Sequence, residues 1–427
     1  MRRVAPLLLV LGCVQLTDSD LGGAARRQAA RDFDDRIVLR DAERREGSFV
    51  GTGAPFVGAV RWSSAFVAGS ELRLAVDLPE GSTLLWELED AGRRYALRPE
   101  DGTFVVDVTA EGVAFPASPR LACLAAEDAA GVVGAPLCLP LFATETAPPN
   151  GILSPRVFRM HGVTERTEAV AFHGGRLHSG SSSGEIAILQ ETLPPTQIVA
   201  HEGAVWDIDA DADGFVSAGG NRVRVWTPSG ELVEEYAHPD VRSVIRRGEV
   251  LCSAGRNGVL RCGERELRLD ERINVMTADA DADMLLLGLG RLSFPGSVAL
   301  VDRASMRVVA RAATGDSVTA LAVAGERVAA AFGRGEVVLY DRALEERARF
   351  DALGGGVDGL AFQGPALVAL TLDGAYAIWT AAGPEGGAPD VLLDFGVEGY
   401  DLAIVDGQGY LGMSRGAVWT FPVGGTP

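Results

Sequence analysis

Residues 201–233 read "HEGAVWDIDADADGFVSAGGNRVRVWTPSGELV", and this stretch decides the fold. Val205 and Ile208 mark the apolar positions of a first short strand, and the tight turn "DADG" follows at residues 211–214. After a second apolar run, "NRVRVW" (residues 221–226) alternates polar and apolar residues. Alternation with a period of two is typical of a β-strand with one buried face. The stretch therefore predicts consecutive antiparallel strands joined by tight turns.

The element "NRVRVW" belongs to a repeat that runs from residue 156 to the end of the chain. Each unit has a turn residue followed by a short strand, and the units recur at intervals of 37, 37, 38, 39, 39 and 42 residues. A period of about 40 residues leaves room for four strands in each unit. The repeat predicts a seven-bladed β-propeller over residues 156–427. Its elements are "GEIAIL" at Gly184, "NRVRVW" at Asn221, "GVLRCG" at Gly258, "GSVALV" at Gly296, "GEVVLY" at Gly335, "GAYAIW" at Gly374 and "GAVWTF" at Gly416.

The unit at residues 201–233 resembles a WD repeat. His201 opens the unit and Trp226 ends the third strand, as in the WD pattern, although Thr227 stands where the pattern closes with Asp. The resemblance implies a propeller of the WD type. The last unit supplies only three strands, and "RVFRMHGV" (Arg156 to Val163) ends like the outer strands of other units. We therefore expect that segment to complete the last blade and close the ring.

The acidic run in the same unit has two interpretations. Asp209, Asp211 and Asp213 followed by Gly214 resemble the start of a calcium-binding loop. A helix-loop-helix calcium site also needs an acid at the twelfth loop position, which is Gly220 here. Asp and Gly suit a hairpin turn for backbone reasons alone. We expect a structural turn, with calcium binding at Asp209 to Asp213 as the alternative.

The first residues predict a lipid anchor. "MRRVAPLLLVLGC" combines two arginines, a short apolar run and a Cys in a context that resembles a bacterial lipobox, so residues 1–13 are interpreted as a lipoprotein signal with lipidation at Cys13. Residues 14–35 are expected to be a flexible tether. Val14 is not the Asp that retains many lipoproteins at the inner membrane, so the predicted location is the bacterial outer membrane.

Residues 36–145 predict an antiparallel β-sandwich ahead of the propeller. Short alternating runs are separated by turn residues, as in sandwich domains. Trp86 on a central strand and Cys123 on a later strand resemble the immunoglobulin-like layout, although the earlier Cys of that layout is absent. Residues 146–155, rich in proline, are interpreted as a linker. The predicted fold class is all-β.

The cysteines other than Cys13 form two candidate pairs. Cys123 and Cys138 flank a predicted turn at Ala130, and Cys252 and Cys262 flank the turn at Asn257. Residues at mirror positions of a hairpin face each other across two strands, so both pairs are predicted to be disulfides in an oxidising compartment. Buried free thiols are the alternative.

Composition excludes several function classes. The net charge of −19 argues against nucleic-acid binding, and also against binding an anionic membrane surface through bulk charge. The chain has no Lys, which excludes Schiff-base and phosphate-loop lysines. His161, His201 and His238 recur at the same junction of successive units and are expected to be hydrogen-bonded within their own blades. No catalytic residue, metal site or cofactor is predicted.

Two classes of function remain. The first is a monomeric cell-envelope lipoprotein whose propeller is a platform for an unknown envelope protein. Its predicted binding face carries the loops between second and third strands, with Trp206, Arg256, Arg334 and Arg415. Arg and Trp are the residue types that most often anchor interfaces. The alternative is a propeller enzyme or metal-dependent hydrolase with a site in the central channel.

Overall fold

The computed structural model describes residues 37–423, except 40–41, 46–58, 63–65, 68–70, 77, 89–93, 100–103, 109–119, 142, 145–155, 163, 191–194, 280–282, 292–293, 351–352, 381–385 and 395–396. The protein is all-β, as the sequence predicts, and the described residues contain no helix. The predicted signal, the tether and the linker at 146–155 lie outside the described residues.

The first twelve strands precede the repeat or begin it. They are β1 (Ile37–Leu39), β2 (Ala42–Arg45), β3 (Ala59–Trp62), β4 (Phe66–Val67), β5 (Glu71–Val76), β6 (Thr83–Leu88), β7 (Arg94–Leu97), β8 (Phe104–Val108), β9 (Arg120–Glu127), β10 (Leu137–Leu141), β11 (Ala143–Thr144) and β12 (Arg156–Arg159).

The repeat region contains the remaining strands. They are β13 (Thr167–His173), β14 (Arg176–Ser181), β15 (Glu185–Leu189), β16 (Thr196–Val199), β17 (Val205–Asp211), β18 (Gly214–Gly219), β19 (Arg222–Trp226), β20 (Leu232–Ala237), β21 (Val241–Arg247), β22 (Val250–Gly255), β23 (Val259–Cys262), β24 (Arg265–Arg268), β25 (Ile273–Ala278), β26 (Met284–Leu289), β27 (Gly296–Asp302), β28 (Arg307–Thr314), β29 (Val318–Ala324), β30 (Arg327–Phe332), β31 (Val337–Tyr340), β32 (Glu346–Phe350), β33 (Val357–Gln363), β34 (Ala366–Thr371), β35 (Ala375–Trp379), β36 (Val391–Asp394), β37 (Gly399–Val405), β38 (Gln408–Met413) and β39 (Ala417–Pro422).

The N-terminal strands form two main sheets. One has the order β10–β9–β6–β7–β2, and the other begins β1–β8–β5–β3. Apolar side chains from both sheets, including Leu74, Trp86, Phe104 and Leu124, belong to one buried core. Trp86 lies on β6, which has a hydrogen-bonded neighbour on each side, so its predicted central position is confirmed.

From β13 to β36 the chain forms one four-stranded antiparallel sheet after another, and each sheet is called a blade below. The predicted repeat elements are the third strands of these blades. The repeat elements are regularly spaced because short turns join the strands. A tight turn needs a residue with a positive φ angle, and such residues lie between the strands. Asn221, which stands where most units have Gly, has a φ of 63° in agreement with the sequence prediction.

The first strands of the blades are the inner strands, defined as β13, β17, β21, β25, β29, β33 and β37. Each inner strand contacts the next in chain order, and β37 contacts β13. The inner strands therefore form a closed ring around a central channel. Closure removes exposed strand edges from the inside of the ring.

The last blade is completed by β12, as the sequence predicts. β12 pairs antiparallel with β39, and Val157 stands opposite Trp419. On its other side β12 pairs with β3, so the first N-terminal sheet continues into the last blade as one eight-stranded sheet. The buried Arg159 of β12 also donates a hydrogen bond to the carbonyl oxygen of Ala135 at 3.2 Å. These two contacts between the N-terminal region and the ring were not predicted from the sequence.

Val157→Asp tests whether β12 holds the whole ring closed. Val157 is completely buried, so the variant would bury an unpaired carboxylate and lower the free energy of unfolding by several kcal/mol. The control is Val199→Asp on β16, where the side chain is 81% exposed and the expected change is about 0.5 kcal/mol or less. Urea unfolding followed by circular dichroism measures both. An unchanged main transition in Val157→Asp, with only an early loss of one strand, would contradict the closure.

Candidate interaction site at the channel mouth

Each inner strand begins with a β-bulge. In β17, Val205 pairs with Gly219 and Asp207 pairs with Ala218, which leaves Trp206 as an extra residue without a partner in the ladder. The register shifts in the same way at the start of every other inner strand. A bulge turns the side chain of the extra residue away from the regular alternation of the strand.

The bulged residues surround one end of the central channel and are called the mouth residues. They line a cavity of about 420 Å³. Their side chains differ at every position, whereas the residues directly before them are buried and mostly Val or Ile. The mouth residues are Glu168, Trp206, Arg242, Asn274, Thr319, Asp358 and Tyr400.

Trp206 and Arg242 form a cation–π pair across two blades. The guanidinium carbon of Arg242 lies 3.4 Å from the centre of the Trp206 ring. Burial, with Arg256 nearby, lowers the pKa of Arg242 to about 10, so the side chain remains cationic at neutral pH. Stacking on the ring restrains the long Arg side chain at the mouth.

Arg256 lies at the same end of the channel, in the loop between β22 and β23. Its backbone N–H donates to the carbonyl oxygen of Asp240 at 2.9 Å, beside the start of β21. Arg272 directly precedes β25 at this face. Burial and the charge of Arg272 lower the pKa of Arg256. Trp206, expected near the channel, and Arg256, expected on the rim of the same face, both line the cavity.

The mouth also contains acidic residues. Glu168 forms an ion pair with Arg166 at 2.9 Å, and Arg166 lies 5.4 Å from the centre of the Tyr400 ring. The pKa of Asp358 is raised to about 6, first by burial and then by the charges of Asp401 and Glu168. The mouth therefore carries charges of both signs, with Glu168 paired to Arg166 and Arg242 stacked on Trp206.

The acidic run at residues 207–211 joins two blades. Its carboxylates accept backbone N–H groups of β21 and of the following turn. Asp401 makes the same kind of hydrogen bond to β13, where its carboxylate accepts the N–H of Val170 at 2.7 Å. These hydrogen bonds connect each inner strand concerned to the first strand of the next blade. The pairs are Asp207 with Val244 at 2.8 Å, Asp209 with Arg246 at 2.6 Å and Asp211 with Gly248 at 3.1 Å.

The turn that follows is also explained by its own hydrogen bonds. The backbone N–H of Asp213 donates to Asp211 Oδ1 at 2.9 Å, which is an Asx turn. Asp211 also forms an ion pair with Arg246 at 3.2 Å. The described residues contain no cluster of three or more His, Cys, Asp or Glu side chains suited to a metal ion. The hydrogen bond and the ion pair of Asp211 hold the acidic turn in place.

The repeated histidines are hydrogen-bonded within their own blades, which confirms the prediction. His201 Nε2 lies 2.8 Å from Ser217 Oγ, and Trp226 Nε1 donates to the same oxygen at 2.9 Å. His161 and His238 contact serines of their second strands in the same way. Burial lowers the pKa of His201 to about 4, so its ring is neutral at neutral pH.

The other predicted residues lie away from the mouth. Arg334 is 74% exposed, and Arg415 Nη1 lies 3.4 Å from the sulfur of Cys138 in the N-terminal region. Neither arginine lines the channel cavity. Both predicted disulfides are present in the structure, Cys123–Cys138 and Cys252–Cys262. Cys13 lies outside the described residues.

Sequence reasoning missed Arg242 and Asp358. A usable signal exists, because each occupies the position directly after the first apolar residue of an inner strand, as Trp206 does. A charged residue directly after the first apolar residue of an inner strand indicates either a bulge at that position or a channel that the side chain lines.

Within the described part of the chain, no helix is long and apolar enough to cross a membrane.

Comparisons with known proteins agree with the fold. The crystal structure of the WD40 beta propeller domain of Doa1 is similar to this chain, with a TM-score of 0.52 and 12% sequence identity over 61% of this chain and 94% of that chain. The crystal structure of the computationally designed Ika8 protein matches with a TM-score of 0.47 and 16% identity, over 62% of this chain and 98% of that chain. No protein-family model and no curated protein matches the chain. The first comparison establishes a fold like that of a WD40 propeller.

Asp207→Asn tests the electrostatic cost of the carboxylates between blades. Burial raises the pKa of Asp207 from 3.8 to about 7. Between these values the folded protein holds a proton that the unfolded chain has released, so the wild type loses stability as the pH rises. Asn cannot ionise, so we expect the wild type to lose up to about 4 kcal/mol relative to the variant between about pH 4 and pH 7. Urea unfolding across this range measures the difference, and a difference that is constant with pH would contradict the account.

Proposed function

We propose that this protein is a protein-interaction platform and that the channel mouth is its binding face. The observation that carries the proposal is the ring of mouth residues. A bulge at the same place in every inner strand points a different side chain into one cavity. A face that combines an aromatic anchor, arginines, carboxylates and amide groups is chemically suited to recognise a specific partner.

The fold supports this proposal through rigidity. We interpret the ring as a seven-bladed propeller made of six separate four-stranded sheets and a seventh blade that β12 completes. The two N-terminal sheets are interpreted as a sandwich-like domain that continues the last blade. A rigid ring holds the mouth residues in place before binding, which reduces the entropy lost when a partner docks.

The predicted location completes the proposal. The lipobox-like segment that ends at Cys13 and the polar residues 14–35 suit a protein tethered to the bacterial outer membrane by lipid. The two disulfides are consistent with an oxidising compartment. The partner is therefore expected to be another protein of the cell envelope.

A photo-crosslinking residue at position 272 tests the binding face. Arg272 is exposed beside the mouth, so a protein bound there would be captured covalently in intact cells. The control carries the same residue at position 213, which is exposed in a turn at the opposite ends of the strands. We expect a specific adduct from position 272 that disappears in a Trp206→Ala background. An equal yield from both positions, or an adduct that survives loss of Trp206, would contradict the assignment.

Cys13→Ala tests the lipid anchor separately. A diacylated Cys holds a protein at a membrane far more firmly than a single chain does. We expect the variant to move into the soluble fraction of the cell envelope, while the wild type sediments with outer membranes. A variant that stays with the membrane would show that Cys13 is not the anchor. That result would not argue against the proposed binding face.

A further inference from the structure

An arginine cluster at the mouth indicates which kind of chemical group the partner places there. The arginine cluster consists of Arg242, Arg256 and Arg272. They come from neighbouring parts of the ring: the bulge of β21, the loop between β22 and β23, and the residue before β25. Three cations at one place are unexpected in a protein with a net charge of −19.

The side chains of the cluster form no direct ion pair with a described residue, although the charge of Asp240 acts on Arg242 and Arg256 and that of Glu168 acts on Arg242. None of the three forms an ion pair within 4.0 Å or a side-chain hydrogen bond with a described residue. The opposite holds for two arginines of third strands, since Arg224 pairs with Glu235 and Arg261 pairs with Glu266 at 3.0 Å on the adjacent outer strands. The three arginines of the cluster therefore lack the direct ion pairs that Arg224 and Arg261 form on the blades.

The unpaired cations carry an electrostatic cost. Burial and mutual repulsion lower the pKa values of Arg242 and Arg256, which means that the charged forms are less stable there than in water. A bound anion would offset this cost. A guanidinium group presents N–H donors in a fork that matches the two oxygens of a carboxylate, and the stack on Trp206 already restrains Arg242 for such a contact.

We infer that the arginine cluster is an anion subsite that receives an Asp or Glu side chain from an extended segment of the partner protein. The inference rests on the proposed function and adds the chemistry of the docking segment. The carboxylate would lie against Arg242 and Arg256, and the uncovered surface of Trp206 would contact the next residue of the segment.

The acidic residues of the mouth favour a carboxylate over larger anions. Glu168 and Asp358 line the same cavity, and their charges repel a doubly charged phosphate more than a singly charged carboxylate. The net negative charge of the protein likewise opposes nucleic acid. Asp358 and Glu168 would instead favour a cationic or neutral residue beside the carboxylate.

Binding of short synthetic peptides tests the inference without knowledge of the natural partner. The probe is an array of acetylated peptides that vary Asp, Glu, Arg, Leu, Ser and Gly, and affinities of the best binders are measured by fluorescence anisotropy. The variants are Arg242→Met and Arg256→Met, which keep the apolar stem of the side chain. The matched control is Arg334→Met, because Arg334 occupies the equivalent loop of another blade and does not line the cavity. Thermal unfolding checks that all variants fold.

We expect selected peptides to contain Asp or Glu, and their affinity to fall about tenfold or more in Arg242→Met and Arg256→Met but to stay unchanged in Arg334→Met. An array without a binder, a consensus without an acid, or equal binding by all variants would overturn the inference. Inorganic phosphate or an oligonucleotide that competes better than free glutamate would also overturn it, in favour of phosphate recognition. Failure of the peptide test together with a specific adduct from position 272 would leave the proposed function standing.

Discussion

The bulge at the start of every inner strand is the constraint on which the site depends. Without the extra residue, Trp206 and Arg242 would follow the regular alternation of their strands, with Val205 and Val241 buried beside them. The bulge also sets the position of the next residue, and there Asp207 and Asp401 accept N–H groups of the following blade. One local irregularity thus places one side chain in the channel and the next between blades.

The ring that holds these residues is closed by a strand from the far end of the repeat region. β12 pairs with β39, so the two ends of the repeat are held together. The outer edge of β12 is in turn covered by β3, and the N-terminal region thereby protects an edge that would otherwise be free to pair with another chain. This arrangement explains why the exposed Arg415 contacts Cys138, a contact that Arg334 in the equivalent loop does not make.

Much of the fold could be predicted because the turns require particular residue types. Gly184, Asn221 and Gly258 mark the repeat since each needs a positive φ angle, and the shortage of a fourth strand at the end predicted the role of β12. The pairing of β3 with β12 could not be predicted, because a non-local backbone contact leaves no pattern in either strand. The same limit applies to Asp207 and Asp209, whose partners lie one blade further along the chain.

The site was predictable only in part for a related reason. Trp206 and Arg256 were assigned to one face from their positions in the repeat, but the ring contact between Trp206 and Arg242 joins two blades. The charges of the mouth residues likewise come from three inner strands, β13, β21 and β33, that are distant in sequence. Because such contacts join different blades, a single unit of the repeat does not reveal them.

The central claim is that partners bind at the mouth, and hydrogen–deuterium exchange of the free and partner-bound protein tests it most directly. The account predicts that binding slows exchange of the amides at residues 204–207, 240–243 and 254–258, which surround the mouth. Exchange at the turns of the opposite face, residues 211–214 and 247–250, should stay unchanged. Slower exchange at those turns or along the outer strands, with no change at the mouth, would contradict the account.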